Sequence, residues 1–196
     1  MKVLTILILT AVLAGQALAD GHTHDCDRLA AHPSDPDKVG VGVGSGEVRL
    51  AAAIKACRDA VTAHPDEARF HYQLGRMLVY WAGANGADSS EGAGYVADAA
   101  AMGHTQAEFV HGLLLRADPA NACQVEAMTR RAADKGLKSA RLTYADDYLA
   151  GRYDGCDGVA DTGAIRGYLD AVASQVSGYY EGMLRNALLR ALEATR

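Results

Sequence analysis

The sequence predicts an all-α chain of stacked helix pairs, and three observations carry that reading. One helical pattern occurs three times between Asp66 and Gly151: Phe70-His71-Tyr72-Gln73-Leu74-Gly75, Ala107-Glu108-Phe109-Val110-His111-Gly112 and Ala140-Arg141-Leu142-Thr143-Tyr144-Ala145. The small residues ending the copies lie 37 and 33 residues apart, a period in the range of helical repeat arrays. Ala-Ala-x-x-Gly tails at Ala99–Gly103 and Ala132–Gly136 precede the second and third copies, and runs of β-branched residues are few. Small residues let paired helices approach closely, and glycine after a tail ends a helix in the left-handed region.

In chain order, residues 1–19 read as a secretory signal. Met1-Lys2 supplies the positive start, Val3 to Ala14 the apolar run and Ala17-Leu18-Ala19 a small-x-small cleavage site. An apolar run of about 12 residues is too short to span a bilayer. No second such run follows, so no membrane span is expected after cleavage. The expected localisation is periplasmic or secreted, with Asp20 as the first mature residue.

Residues 20–46 read as a flexible lead with two prolines and the run Gly40-Val41-Gly42-Val43-Gly44-Ser45-Gly46. That run lacks the Lys-Ser/Thr of a phosphate loop, and Ser45 is expected to cap the next helix. The helical domain then occupies 47–196. Its first helix, over about 47–63, has Leu50, Ile54, Cys57 and Val61 on one stripe. His64-Pro65-Asp66 breaks it, and a second helix over about 66–82 carries Phe70, Leu74, Met77, Leu78 and Trp81. Gly83 to Gly94 reads as a mobile Gly-rich loop. Helices follow over about 93–102, 104–116, 120–135 and 138–151. One near 161–175 presents Ile165, Leu169 and Val172. The last, over about 177–194, carries Met183, Leu184, Ala187, Leu188 and Ala191 on one side and serves as a cap with a polar outer face.

Four cysteines in an exported chain predict two disulfides. With Gly136 as the hinge of an antiparallel pair, the returning helix brings Cys156 to the level of Cys123, leaving Cys26 to join Cys57. Each bridge closes a loop of about 30 residues, worth roughly 3–4 kcal/mol in loop-closure entropy.

The elements Tyr72-x-Leu74-Gly75-x-x-Leu78, Ala107 to Gly112, Ala99-Ala100-x-x-Gly103, Tyr148-Leu149-Ala150-Gly151 and Gly158-Val159-Ala160-Asp161 resemble Sel1-like repeats, relatives of the tetratricopeptide family. The resemblance covers roughly residues 47–175. The segments Cys26–Pro33 and Ala53–Val61, followed by Arg69-Phe70-x-Tyr72-Gln73-Leu74-Gly75-Arg76, are similar to the leader of secreted Sel1-like proteins of proteobacteria. The resemblance implies a right-handed superhelical solenoid that binds other proteins and has no catalytic residues to carry over. In such folds the first helix of each pair lines the concave surface, which points to Arg69, Gln73, Arg76, His111, Arg141 and Tyr148 as the partner-binding residues.

A net charge of −5 leaves no basic footprint for nucleic acid. The chain has no His-Glu-x-x-His, Gly-x-Ser-x-Gly or Ser-x-x-Lys, and Asp146 and Asp147 diverge on a helix and read as a solvated face. The expected function is therefore non-catalytic binding of an envelope protein or peptide. A second reading is copper or nickel binding at the processed terminus. There the amine of Asp20, the amides through Gly21 and the imidazole of His22 form a square-planar nitrogen set, with His24, Asp25 and Asp27 nearby. An envelope enzyme is the third reading. No other cofactor is expected.

Overall fold

The computed structural model describes residues 23–195. Among these the chain forms nine α-helices and no strand: α1 (Asp25–Ala30), α2 (Leu50–Ala63), α3 (Ala68–Asn85), α4 (Ser90–Ala101), α5 (Thr105–Leu115), α6 (Ala122–Asp134), α7 (Lys138–Leu149), α8 (Thr162–Val172) and α9 (Tyr179–Ala194). Each packs chiefly on its neighbours in sequence, with α1 also on α3 and α7 also on α9. The apolar interior is accordingly a series of local clusters. Cys26, Ala53, Cys57, Phe70, Leu74 and Met77 form the first, under α1–α3. Tyr72, Val96, Ala99 and Ala107 join α3, α4 and α5. Phe109, Ala132, Ala133, Leu137 and Ala140 join α5, α6 and α7. Tyr144, Tyr153, Ile165, Leu169, Leu188 and Leu192 fill the C-terminal end.

The hinges follow the expected chemistry. Gly103 (φ 85°) and Gly136 (φ 96°) both lie in the left-handed region. At each, the glycine N–H donates to the carbonyl three residues back and the next N–H to the one five back: Gly103 to Ala100 and His104 to Ala99, Gly136 to Ala133 and Leu137 to Ala132. These paired bonds satisfy carbonyls that a helix end leaves open. The small residues of the repeat matter most at Gly75. A Cβ there would stand 2.7 Å from the Gly92 carbonyl oxygen, and one at Gly92 would stand 2.9 Å from that of Gly75. The α3 and α4 backbones thus cross in direct contact, whereas Gly112 has more room, its nearest neighbour being Thr129 Oγ1 at 3.4 Å.

Both predicted disulfides are present, Cys26–Cys57 and Cys123–Cys156, with Cα separations of 4.6 and 5.2 Å. Ile165, Leu169 and Val172 are fully buried, as their spacing predicts.

Four expectations need correction. The 20–46 lead packs against the helices in its described part, with α1 folded and Ala30, Ala31 and Asp35 fully buried. Ser45 does not cap a helix: α2 starts at Leu50, and the Ser45 hydroxyl lies 2.9 Å from that of Tyr80. The Gly83–Gly94 loop shrinks to residues 86–89, because α3 runs on to Asn85 and α4 starts at Ser90. Trp81, Met183 and Leu184 are exposed, since the neighbouring helices cover Leu78 in α3 and Leu188 and Leu192 in α9 instead.

Gly75→Ala should lower stability by about 1–3 kcal/mol, the usual range for overpacking. Gly83→Ala, where a Cβ meets nothing within 4 Å, should raise it by up to about 1 kcal/mol through helix propensity. Urea unfolding of the two variants checks both signs.

Candidate functional site

The residues that the repeat pattern assigns to an open concave face do not stay open. Arg69, Gln73 and Arg76 do share a face of α3, but the lead lies on it. Arg76 is 4% exposed, and its guanidinium donates to the carbonyl oxygens of Ala30 (2.8 Å) and Val43 (3.2 Å) and to the Tyr80 hydroxyl (3.3 Å). Gln73 is fully buried and donates through Nε2 to Asp27 Oδ1 at 3.0 Å, where Arg69 Nε also donates at 3.3 Å. Asp27 in turn accepts from His24 N at 3.1 Å, completing the cap of α1. The lead closes on itself through Val43 N to Ala31 O at 2.8 Å. These polar groups hold the irregular lead to the helices.

The other three residues are dispersed. His111 is half-buried, its Nδ1 has no hydrogen-bond partner, and burial pushes its pKa down. Arg141 donates through Nε to Ala133 O at 3.0 Å, bracing the turn at Gly136. Tyr148 packs on the C-terminal cluster. Asp147 departs from the solvated face expected of it: it is fully buried and bonded to Arg116, Arg152 and the Tyr153 hydroxyl. Asp20, Gly21 and His22 lie outside the described residues, as does the 1–19 segment. Of their suggested neighbours, Asp25 pairs with Arg28, Asp27 is committed to α3, and His24 Nδ1 accepts from Cys26 N at 3.1 Å.

What the chain does form is a groove of about 610 Å³. Val79 of α3, Val96 of α4, Phe109, Val110 and Leu113 of α5, and Leu137 give it an apolar lining. His32, Ser34 and Pro36 of the lead make one wall. Gln175 and the ion pair of Lys138 with Glu181, at 2.8 Å, also line the groove. The Lys138 ammonium and the Ser177 amide hold the Glu181 carboxyl well below its ordinary range. Burial and the Arg76 charge push the His32 imidazole down, so that wall is uncharged at neutral pH. Gln106, 6% exposed, lines the groove with Oε1 buried and without a hydrogen-bond partner. An unpaired acceptor of this kind costs roughly 1–3 kcal/mol.

Of the six side chains that the resemblance assigns to the concave face, Arg76 lines this groove and Arg69, Gln73, His111, Arg141 and Tyr148 do not. Val79, Val110 and Leu113 are plain apolar helix residues, and nothing in their identity says that the neighbouring pair leaves them partly uncovered. The wall of the lead has no periodicity at all.

Arg76→Met should lower stability by about 2–4 kcal/mol, because a buried guanidinium is removed and the buried Ala30 and part-buried Val43 carbonyls lose their donor. Arg141→Met, on a half-exposed side chain, should lower it by less than about 1 kcal/mol. Urea denaturation of both variants measures the difference. No protein-family model, curated protein or solved structure gives a significant match to this chain.

Proposed function

We propose that this chain is a non-catalytic, periplasmic or secreted binding protein of Sel1-like type, whose groove takes an extended peptide segment of another envelope protein. The observation that carries this reading is the groove itself, with an apolar lining drawn from successive helix pairs. Its volume lies in the range of sites that enclose a small ligand or a few side chains. A peptide is favoured because it offers apolar side chains for Val79, Phe109 and Leu113 together with main-chain polar groups for the edge at Ser34 and Gln175.

Three features support the repeat character. Each helix rests mainly on its sequence neighbours, the interior is segmented, and the hinges at Gly103 and Gly136 have the same construction 33 residues apart. The location draws support from the disulfides, which form in oxidising compartments. Among the described residues, no helix is long and apolar enough to cross a membrane.

A peptide library selected on the wild-type protein should yield short apolar-containing sequences that crosslink to a photoreactive residue at Leu113. Val110→Asp should weaken those peptides more than about 10-fold, about 1.4 kcal/mol, and Tyr148→Ala should leave them unchanged. Peptides that bind Val110→Asp as tightly as wild type, or that crosslink elsewhere, would overturn the proposal.

A further inference from the structure

Two buried polar atoms without hydrogen-bond partners face each other across 3.4 Å, Asp35 Oδ2 and His104 Nε2. Asp35 is fully buried and His104 is 4% exposed. Asp37 brings a third donor, and one ligating atom from each of the three residues lies within 4.8 Å of the others. The arrangement is built by the fold. His104 follows the Gly103 hinge and caps α5, its ring stacked on Tyr72 with centroids 4.8 Å apart. The lead turns over that helix end: Asp35 Oδ1 accepts from Asp37 N at 3.0 Å, and Asp37 Oδ2 accepts from Thr105 N at 2.6 Å.

We propose that Asp35, Asp37 and His104 bind one divalent cation of zinc-like preference, which clamps the lead onto the start of α5. One imidazole and two carboxylates suit zinc, and the two carboxylate charges balance the ion. Two zinc bonds of about 2.0–2.1 Å at the tetrahedral angle place their ligands roughly 3.3 Å apart, close to the spacing of Asp35 Oδ2 and His104 Nε2. A cleft of about 270 Å³, lined by Asp37, Glu67, Met102 and His104 among others, supplies a way in and room for water in the remaining coordination position. Burial pushes the His104 imidazole down to about 4, so it is in the neutral, ligating form at neutral pH.

The proton count closes. His104 Nδ1 accepts from Ala107 N at 3.2 Å, so in the metal-free protein the ring proton sits on Nε2. The cation takes the place of that proton, which moves to Nδ1. There it faces the Ala107 amide, so the Ala107 cap is given up. Along the lead, Ser34 and Pro36 line the groove while Asp35 and Asp37 turn to α5, so the cation would also fix one wall of the groove. That last consequence rests on the peptide-binding reading; the metal site does not.

The test is calorimetric titration of the full, processed, chelator-treated protein with zinc chloride, and with cobalt(II) as an optical probe. One zinc per chain is expected, with affinity falling more than about 10-fold in both Asp35→Asn and His104→Gln and unchanged in His22→Ala. Zinc should also slow trypsin cleavage after Lys38, in the clamped lead, by about 10-fold or more. Should a buried variant fail to fold by circular dichroism, Asp37→Asn, whose side chain is 40% exposed, tests the same site. Absence of saturable uptake, or equal affinity in the folded variants, would overturn the proposal. Loss of peptide binding with zinc uptake intact would count against the groove reading alone.

Discussion

The buried guanidinium of Arg76 decides what the N-terminal half of this molecule is. Without it, two main-chain carbonyls of the lead would lie against α3 without a donor. With it, the carbonyls of Ala30 and Val43 are satisfied, and the segment between them becomes a wall. A charge removed from water is tolerated only when its hydrogen bonds are supplied, and removing one partner costs more than the pair is worth. The neighbouring Asp27 follows the same rule, buried and accepting from Gln73, Arg69 and the His24 amide. The Cys26–Cys57 bridge adjoins this network and ties α1 to α2 covalently.

The C-terminal half repeats the arrangement with different residues. Glu126, 1% exposed, accepts from Tyr144 Oη at 2.6 Å and from Arg130 Nε at 2.9 Å. Tyr144 Oη in turn accepts from Ala160 N at 2.9 Å, which pins the irregular segment after α7. Cys123–Cys156 crosses the same region. A core divided into small local clusters gives any one segment little apolar area to bury, so the irregular segments need both a covalent tie and a buried polar tie. Where regular helices meet, as at Gly75 and Gly92, close backbone approach suffices.

The helices, hinges and disulfide pairing were legible because each leaves a mark in residue identity. Glycine after an alanine tail marks a hinge, a 3.6-residue stripe marks Ile165, Leu169 and Val172 as buried, and helix lengths bring Cys123 to Cys156. Arg69, Gln73 and Arg76 were legible as a single polar face, and what covers that face was not. Arg76 bonds to main-chain carbonyls, which every residue possesses, so no side chain in the lead announces the contact. Periodicity likewise cannot say how far a neighbouring helix extends, and so Trp81 and Met183 read as core while standing exposed. The meeting of Asp35 with His104 depends on the path of the lead over α5, which composition describes only as rich in glycine and proline.

The most direct measurement is hydrogen exchange at the Val43 amide, whose donor bond to Ala31 O closes the lead beneath Arg76. Protection at Val43 of about a hundredfold or more over a free peptide is expected, alongside that of α3. Exchange at the free-peptide rate while α3 stays protected would contradict a lead tied down by Arg76, and with it the wall of the groove.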